Sequence, residues 1–122
     1  MLDKLKPLKQ GQLAEDLALV FLKQKGLRLV DRNYRTRLGE IDLIMKDESH
    51  IVFVEVRFRS SNQFGGAAMS VDHRKQKKLI KCAQHYIANS STNLGFRFDV
   101  VAISPSNTQH EIQWITNAFD EF

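Results

Sequence analysis

The fold of this chain follows from GEIDLIMKDESHIVFVEVRF, residues 39–58. Residues 51–58 are almost all β-branched or aromatic, which is typical of a buried strand, and residues 39–46 read as a second strand. The polar residues 47–50 between them fit a tight turn. This stretch therefore predicts an antiparallel β-hairpin.

The hairpin carries charged residues at regular intervals. A symmetrical turn over residues 47–50 places opposite each other those residues whose numbers sum to 97, so Asp42 faces Glu55 and Glu40 faces Arg57. Directly opposed residues have Cβ atoms about 4.5–5.5 Å apart. The register therefore predicts that two carboxylates, those of Asp42 and Glu55, point at one place.

The rest of the chain supplies two helices and three further strands. Apolar residues recur at helical spacing in two segments, Gly26 can end the first helix, and Asp72 can cap the second. We predict an α/β fold in the order αβββαββ, with helices packed on a mixed central sheet. The predicted elements are a helix over 9–25, strands over 27–34, 39–46 and 51–58, a loop over 60–70, a helix over 72–88, and strands over 97–104 and 111–116.

Composition limits the class of protein. With 122 residues, 43% of them apolar, the sequence predicts one domain over 1–122 and excludes a two-domain enzyme. No apolar run approaches the roughly 20 residues of a membrane-spanning helix, and the N-terminus lacks a secretory signal, so we expect a cytoplasmic protein that does not enter membranes. A single cysteine, Cys82, excludes an internal disulfide and a thiolate zinc site.

Charge is distributed unevenly along the chain. Residues 57–81 contain seven Lys and Arg residues against one acid, a local net charge of +6, whereas residues 98–122 contain four acids and no Lys or Arg. The overall net charge is +4 and the isoelectric point about 9.4. This pattern fits a surface that attracts a polyanion such as nucleic acid, and it equally fits an ordinary solvated helix.

The opposed carboxylates also allow two interpretations. Like charges so close together repel, and a hard divalent cation such as Mg²⁺ or Mn²⁺ would compensate them. Alternatively, Arg57 and a nearby lysine neutralise Asp42 and Glu55 in a cross-strand network. Glu15 lies beside the apolar stripe of the first helix, so it is a third inward-facing candidate, although pairing with an arginine would also explain it.

Seven short motifs follow one another along the chain: GxxAE (11–15), RNYR (32–35), GEIDLI (39–44), VFVEVR (52–57), FGG (64–66), RKQKKL (74–79) and RFDVVAI (97–103). In this order they resemble the YraN-like family of uncharacterised bacterial proteins over nearly the whole chain. GEIDLI followed by FVEVR also resembles the divided signature of the PD-(D/E)xK nuclease superfamily, whose restriction-endonuclease-like fold includes Holliday-junction resolvases.

The superfamily resemblance implies a catalytic role for four residues. Asp42 would be the metal-binding aspartate, Glu55 the second acidic ligand, Arg57 the counterpart of the usual lysine, and Glu15 the acid of the first helix. The implied cofactor is Mg²⁺ or Mn²⁺, bound by Asp42 and Glu55, and the implied reaction is hydrolysis of a phosphodiester.

Arg57 departs from the usual lysine. A guanidinium can stabilise charge and bind phosphate, but its pKa above about 12 prevents it from accepting a proton from water. If the reaction needs a neutral lysine as base, the site is weak or inactive. If the cation only orients water and neutralises charge, arginine suffices.

The expected function is therefore that of a metal-dependent nuclease acting on DNA, with branched or single-stranded DNA among the candidates. A catalytically inactive nucleic-acid-binding module is the alternative, and a domain that binds an acidic protein is a third. Trp114 and Phe119 could form a homodimer interface, or the same residues could close the core, so the oligomeric state is left open. The candidate nucleic-acid contacts are Arg59, Arg74, Lys75, Gln76 and Lys78.

Overall fold

The computed structural model of the protein describes residues 7–58, 71–104 and 111–119. Within these ranges the element order αβββαββ is the predicted one. The predicted loop over 60–70 and Arg59 lie outside the described residues. The elements are α1 (Pro7–Gln24), β1 (Arg28–Thr36), β2 (Gly39–Lys46), β3 (His50–Phe58), α2 (His73–Ala88), β4 (Gly95–Ser104) and β5 (Glu111–Phe119).

The five strands form one sheet in the order β1-β2-β3-β4-β5. Strands β3 and β4 run parallel, and the other three neighbouring pairs are antiparallel. Parallel neighbours need a crossover connection, and here α2 lies within it. The predicted mixed sheet with helices packed on it is confirmed.

Each helix covers a different face of the sheet. The alternation of side chains along β2 and β3 sends Leu43 and Val54 toward α1, whereas Ile44 and Phe53 point toward α2. The small residues Ala14 and Ala18 let α1 approach its face closely, since their side chains are almost completely buried, together with Leu22 one turn further on. On the other face, α2 contributes Leu79, Cys82 and Ala83 to the core.

Local signals set the helix ends. After α1, Gly26 adopts φ +98°, a left-handed conformation that glycine takes without strain, and the Leu27 amide donates to the carbonyl of Leu22 at 3.1 Å. Before α2, a carboxylate oxygen of Asp72 accepts a 2.8 Å hydrogen bond from the Lys75 amide. Asp72 is thus the predicted N-cap.

Strand β5 extends three residues past its predicted end at Thr116. Phe119, its last residue, stacks on Phe98 of β4 with ring centroids 4.7 Å apart and is buried in the α2-side core. Trp114 packs edge-on against Phe21 of α1. Both aromatic residues that could have anchored a dimer therefore take part in closing the core instead, and the homodimer stays a prediction.

The hairpin has the predicted register over half its length. Ile44 pairs with Phe53 and Lys46 with Ile51, but the ladder between β2 and β3 ends at Leu43 and Val54. Beyond that point β2 continues to pair with β1, and β3 with β4. The predicted pairing of Glu40 with Arg57 is wrong, because the strands part before reaching it and Glu40 instead binds Arg35 of β1.

In the described part of the chain, no helix has the length and apolar character needed to span a membrane.

Candidate active site

The site begins where strands β2 and β3 separate. At this fork Oδ2 of Asp42 accepts a 2.8 Å hydrogen bond from the backbone amide of Val56. The alternation of side chains also breaks here, since both Ile41 and Ile44 belong to the core on the α2 side. Asp42 therefore takes the place of the missing backbone partner and holds its carboxylate between the two strands.

Glu55 brings the second carboxylate to the same place. Its side chain is only 5% exposed and lines the same cavity as that of Asp42. The predicted meeting of these two side chains is confirmed, and they are called the acidic pair below. Lys75 Nζ lies 2.5 Å from Oε2 of Glu55, and Nη1 of Arg57 lies 3.9 Å from that oxygen. The buried carboxylate thus has one close cation from α2 and a more distant one from its own strand.

The surroundings of Asp42 disfavour its charged form. Burial, followed by the charges of Glu55 and Glu15, raises the pKa of Asp42 from 3.8 to about 8, against the lowering effect of the Val56 hydrogen bond. A carboxyl group with so high a pKa keeps a proton at neutral pH.

Glu15 faces the site from α1 but is held by other partners. Its Oε1 lies 3.3 Å from Nε of Arg32, and the same guanidinium binds Asp16 through Nη2 at 2.6 Å. Burial raises the pKa of Glu15, while Arg32 opposes that shift. The arginine pairing considered from the sequence is thus present, and Glu15 still acts on Asp42 through its charge.

Asn33 links Glu15 to the hairpin through hydrogen bonds that the sequence did not predict. With its amide nitrogen turned toward the acids, Asn33 donates to Glu15 Oε1 and to Glu40 Oε2, each at 3.2 Å. Its backbone φ of +56° is unusual for a residue other than glycine. The only sequence signal is that Asn33 lies within the RNYR motif.

Three cavities in this part of the molecule share lining residues. The cavity lined by the acidic pair, about 210 Å³, shares Glu40 with a cavity of about 540 Å³ beside Glu15. It shares Lys78 with a third cavity, of about 360 Å³. The cavity of the acidic pair therefore neighbours both of the others.

The third cavity is strongly basic. It lies between the β1–β2 turn and the exposed side of α2, and no acid in the described part of the chain lines it. Its cations form no ion pair with any other residue that the structure describes. We call it the basic groove; its charged lining residues are Arg37, Arg74, Lys77, Lys78 and Lys81.

The predicted nucleic-acid contacts are distributed over different parts of the site. Arg74 and Lys78 line the basic groove, whereas Lys75 reaches Glu55. Gln76 uses its Nε2 to donate to the carbonyl of Val71 at 2.8 Å, which fixes the entry into α2. Position 59 cannot be placed, because it is outside the described residues.

Sequence reasoning missed three cations of the groove, Arg37, Lys77 and Lys81. Lys77 and Lys81 lie in the basic segment 57–81, so the sequence already showed their charge. Arg37, in contrast, reaches the groove only because the β1–β2 turn meets α2. It also missed the role of Lys75, although Leu79 and Cys82, four and seven residues later, are buried. That spacing puts Lys75 on the stripe of α2 that faces the sheet.

Asp99, the aspartate of the RFDVVAI motif, belongs to the core. It is completely buried, and Arg97 Nε donates to both its oxygens, at 3.0 and 3.3 Å. Trp114 Nε1 and the Asn117 amide each donate to it at 2.9 Å. Its bonds join β4 to β5.

The two carboxylates suit a hard cation that takes only one or two ligands from the protein. Among the described residues, no three His, Cys, Asp or Glu side chains converge closely enough to form a complete protein cage. Mg²⁺ usually takes one or two carboxylates and fills its other positions with water and substrate phosphate. Asp42 and Glu55 match that pattern.

Comparison with known proteins shows close relatives along almost the whole chain. A UPF0102 protein of Nitrosomonas europaea is 53% identical over 112 residues, which cover 92% of this chain and 94% of the relative. A UPF0102 protein of Legionella pneumophila is 48% identical over 113 residues, covering 91% and 94%, respectively. One of Methylococcus capsulatus is 46% identical over 110 residues, covering 90% and 89%. Residues 14–103 match the model of the uncharacterised protein family UPF0102, so the chain belongs to that bacterial family.

Proposed function

We propose that this protein is a metal-dependent nuclease that hydrolyses phosphodiester bonds in DNA. The observation that carries the proposal is the acidic pair: two neighbouring carboxyl groups at a strand fork, in a cavity that Lys75 and Lys78 also line. A carboxyl group with a raised pKa, such as that of Asp42, next to a second carboxylate and two cations is typical of sites that do chemistry.

Asp42 and Glu55 would hold Mg²⁺ or Mn²⁺. When bound, such an ion lowers the pKa of a coordinated water and neutralises charge on the phosphate. The Val56 amide fixes the orientation of Asp42. Arg57, 3.9 Å from Glu55, lies beside the acidic pair and would bind a phosphate oxygen.

The proposed reaction adds water across one phosphodiester bond. The water oxygen forms a bond to phosphorus, and the bond from phosphorus to the leaving sugar oxygen breaks. One water proton passes to solvent, and the leaving oxygen takes one from solvent, so the products are a phosphate monoester and a hydroxyl group. Cations around the acidic pair stabilise the extra negative charge of the transition state.

The basic groove supports nucleic acid as the substrate. Five cations and no acid among the described residues line the groove, and Lys78 lines both the groove and the cavity of the acidic pair. A strand lying in the groove would place its phosphates against these cations and one phosphodiester at the pair. Binding of this kind comes mainly from the backbone and depends strongly on salt.

The PD-(D/E)xK resemblance points the same way. Its two acidic positions correspond to Asp42 and Glu55, which meet in the structure. Its third position corresponds to Arg57 and its first-helix acid to Glu15, whose charge acts on Asp42. We therefore extend the proposal to membership of that superfamily and to a cytoplasmic location, where DNA is available to a bacterial nuclease.

A nucleic-acid-binding module without turnover is the second candidate. It is favoured by one specific feature, the arginine at position 57, which cannot serve as a base. In that case the basic groove would bind nucleic acid and the acidic pair would do no chemistry.

A cleavage assay separates the two candidates. Labelled single-stranded, duplex, flap and four-way-junction DNAs are incubated with Mg²⁺ or Mn²⁺ and either wild-type protein or the Asp42→Asn/Glu55→Gln variant, purified identically. We expect cleavage of at least one DNA by the wild type and a loss of about 10³-fold or more in the variant. Equal cleavage by both would identify a contaminant and contradict the proposal. No cleavage with retained DNA binding would favour the binding module.

A further inference from the structure

The lysine that reaches the acidic pair comes from helix α2. Lys75 Nζ lies 2.5 Å from Oε2 of Glu55, while Arg57 remains 3.9 Å away. The Glu55 side chain is 5% exposed and that of Lys75 is 46% exposed. One end of the ion pair is therefore buried, and the other can reach an incoming ligand.

The position of Lys75 is built into the fold. Its backbone amide donates to Asp72, the N-cap of α2, at 2.8 Å, and Leu79 one turn later is buried against the sheet. Lys75 thus extends from the sheet-facing side of α2, and both Lys75 and Leu79 line the cavity of the acidic pair. Arg74 and Lys77, its neighbours, instead line the basic groove.

Helix stability does not explain a lysine here. The first turn of α2 contains no acid, and its N-terminal end carries the positive end of the helix dipole, where a cation is unfavourable. Lys75 is held there by its ion pair with the buried carboxylate of Glu55. Because the Lys75 side chain is still 46% exposed, its ammonium group can also contact an anion that enters the cavity.

We propose that Lys75 is a catalytic residue that contacts the scissile phosphate and supplies the ammonium group absent from position 57. This inference rests on the proposed nuclease function. The ammonium, released from Glu55 when the carboxylate binds metal, would lie against a non-bridging phosphate oxygen. Arg57 would then be left to hold the phosphate from the side of β3.

The test compares wild-type protein, Lys75→Gln and the control Lys23→Gln in single-turnover cleavage at saturating DNA. Lys75→Gln is expected to lose at least about 100-fold in rate with less than about threefold change in DNA affinity. Lys23→Gln, which removes the same charge from the exposed end of α1, is expected to keep both the rate and the DNA affinity of the wild type.

A second experiment measures the affinity for metal and does not depend on cleavage activity. Because the ammonium and the metal compete for Glu55, Lys75→Gln is expected to bind Mn²⁺ as tightly as the wild type or up to about tenfold more tightly. A third uses only wild-type protein, so it does not depend on the variant folding: a short DNA with Ca²⁺ should protect Lys75 from amine acylation, read by mass spectrometry.

The outcomes are distinct. If wild-type protein cleaves no DNA, the proposed function fails and this inference fails with it. If the wild type cleaves and Lys75→Gln cleaves within threefold of it, only the role of Lys75 is overturned. Loss of Mn²⁺ binding in Lys75→Gln, or no protection of Lys75 by DNA, would likewise overturn the catalytic role and leave Lys75 as a structural partner of Glu55.

Discussion

The backbone amide of Val56 donates a 2.8 Å hydrogen bond to Oδ2 of Asp42, across the point where strands β2 and β3 part. The side chain therefore satisfies a backbone group that the ladder leaves without a strand partner. It also orients the carboxylate toward Glu55. One hydrogen bond thus links the shape of the sheet to the geometry of the acidic pair.

This bond predicts different stabilities for two substitutions of Asp42. Asparagine keeps an oxygen that can accept from the Val56 amide, whereas alanine leaves that amide without a side-chain acceptor. We expect Asp42→Ala to unfold with a free energy about 1 kcal/mol lower than Asp42→Asn, measured by urea denaturation at pH 5. Equal stability of the two variants would show that the bond contributes nothing to folding.

The raised pKa of Asp42 predicts a pH dependence of stability. Between its usual value of 3.8 and about 8, the folded protein keeps a proton that the unfolded chain releases. The free energy of unfolding of the metal-free protein should therefore fall as pH rises through this range. Asp42→Asn, which has no such proton, should show a shallower fall in urea denaturation with EDTA.

The control for this pH effect is Glu48→Gln, which removes one carboxylate from the exposed turn after β2. It should retain the dependence of the wild type. The same pH dependence in Asp42→Asn as in the wild type would exclude a strongly perturbed Asp42.

The buried carboxylate of Asp99 predicts a large structural effect. Its removal leaves Arg97 without its main partner and deprives Trp114 and the Asn117 amide of their acceptor. We expect Asp99→Ala to lower the free energy of unfolding by about 3–5 kcal/mol in urea denaturation. Arg35→Ala, which breaks the exposed Arg35–Glu40 pair, should cost less than about 1 kcal/mol. A similar loss of unfolding free energy in both variants would contradict the structural role of Asp99.

The basic groove predicts a salt effect on DNA binding. Lys77→Gln/Lys81→Gln removes two groove cations, so the slope of log K against log salt concentration should fall in magnitude by about 1.4–1.8. Lys23→Gln/Lys25→Gln removes the same charge from the exposed end of α1 and should leave the slope unchanged. Fluorescence anisotropy over a series of salt concentrations measures both. Equal slopes for the two double variants would mean that DNA binds elsewhere.

The sequence predicted those features that depend on local periodicity. Residues 39–46 and 51–58 identify a hairpin, and the polar turn sets its register from Lys46–Ile51 to Leu43–Val54. Asp42 and Glu55 lie just beyond the last pair of this ladder and still line one cavity. Periodicity does not say where a ladder ends. The failed Glu40–Arg57 pairing shows this, because β2 follows β1 and β3 follows β4 once the strands part.

Contacts between distant elements were harder to predict. Lys75 was predicted to contact nucleic acid together with Arg74 and Lys78, and the spacing to Leu79 alone did not separate it from these neighbours. Arg37 gave no signal at all, since its place in the groove depends on how the β1–β2 turn meets α2. The left-handed Asn33 is likewise a product of tertiary structure.

The central claim is that Asp42 and Glu55 together hold a divalent ion, and Mn²⁺ binding tests it most directly, independently of any substrate. Electron paramagnetic resonance at pH 8 follows free Mn²⁺ during titration of wild-type protein and of Asp42→Asn/Glu55→Gln. The account predicts one bound Mn²⁺ per wild-type chain and loss of that binding in the double variant, with both proteins folded. Mn²⁺ binding that is absent from the wild type, or equal in the two proteins, would contradict it.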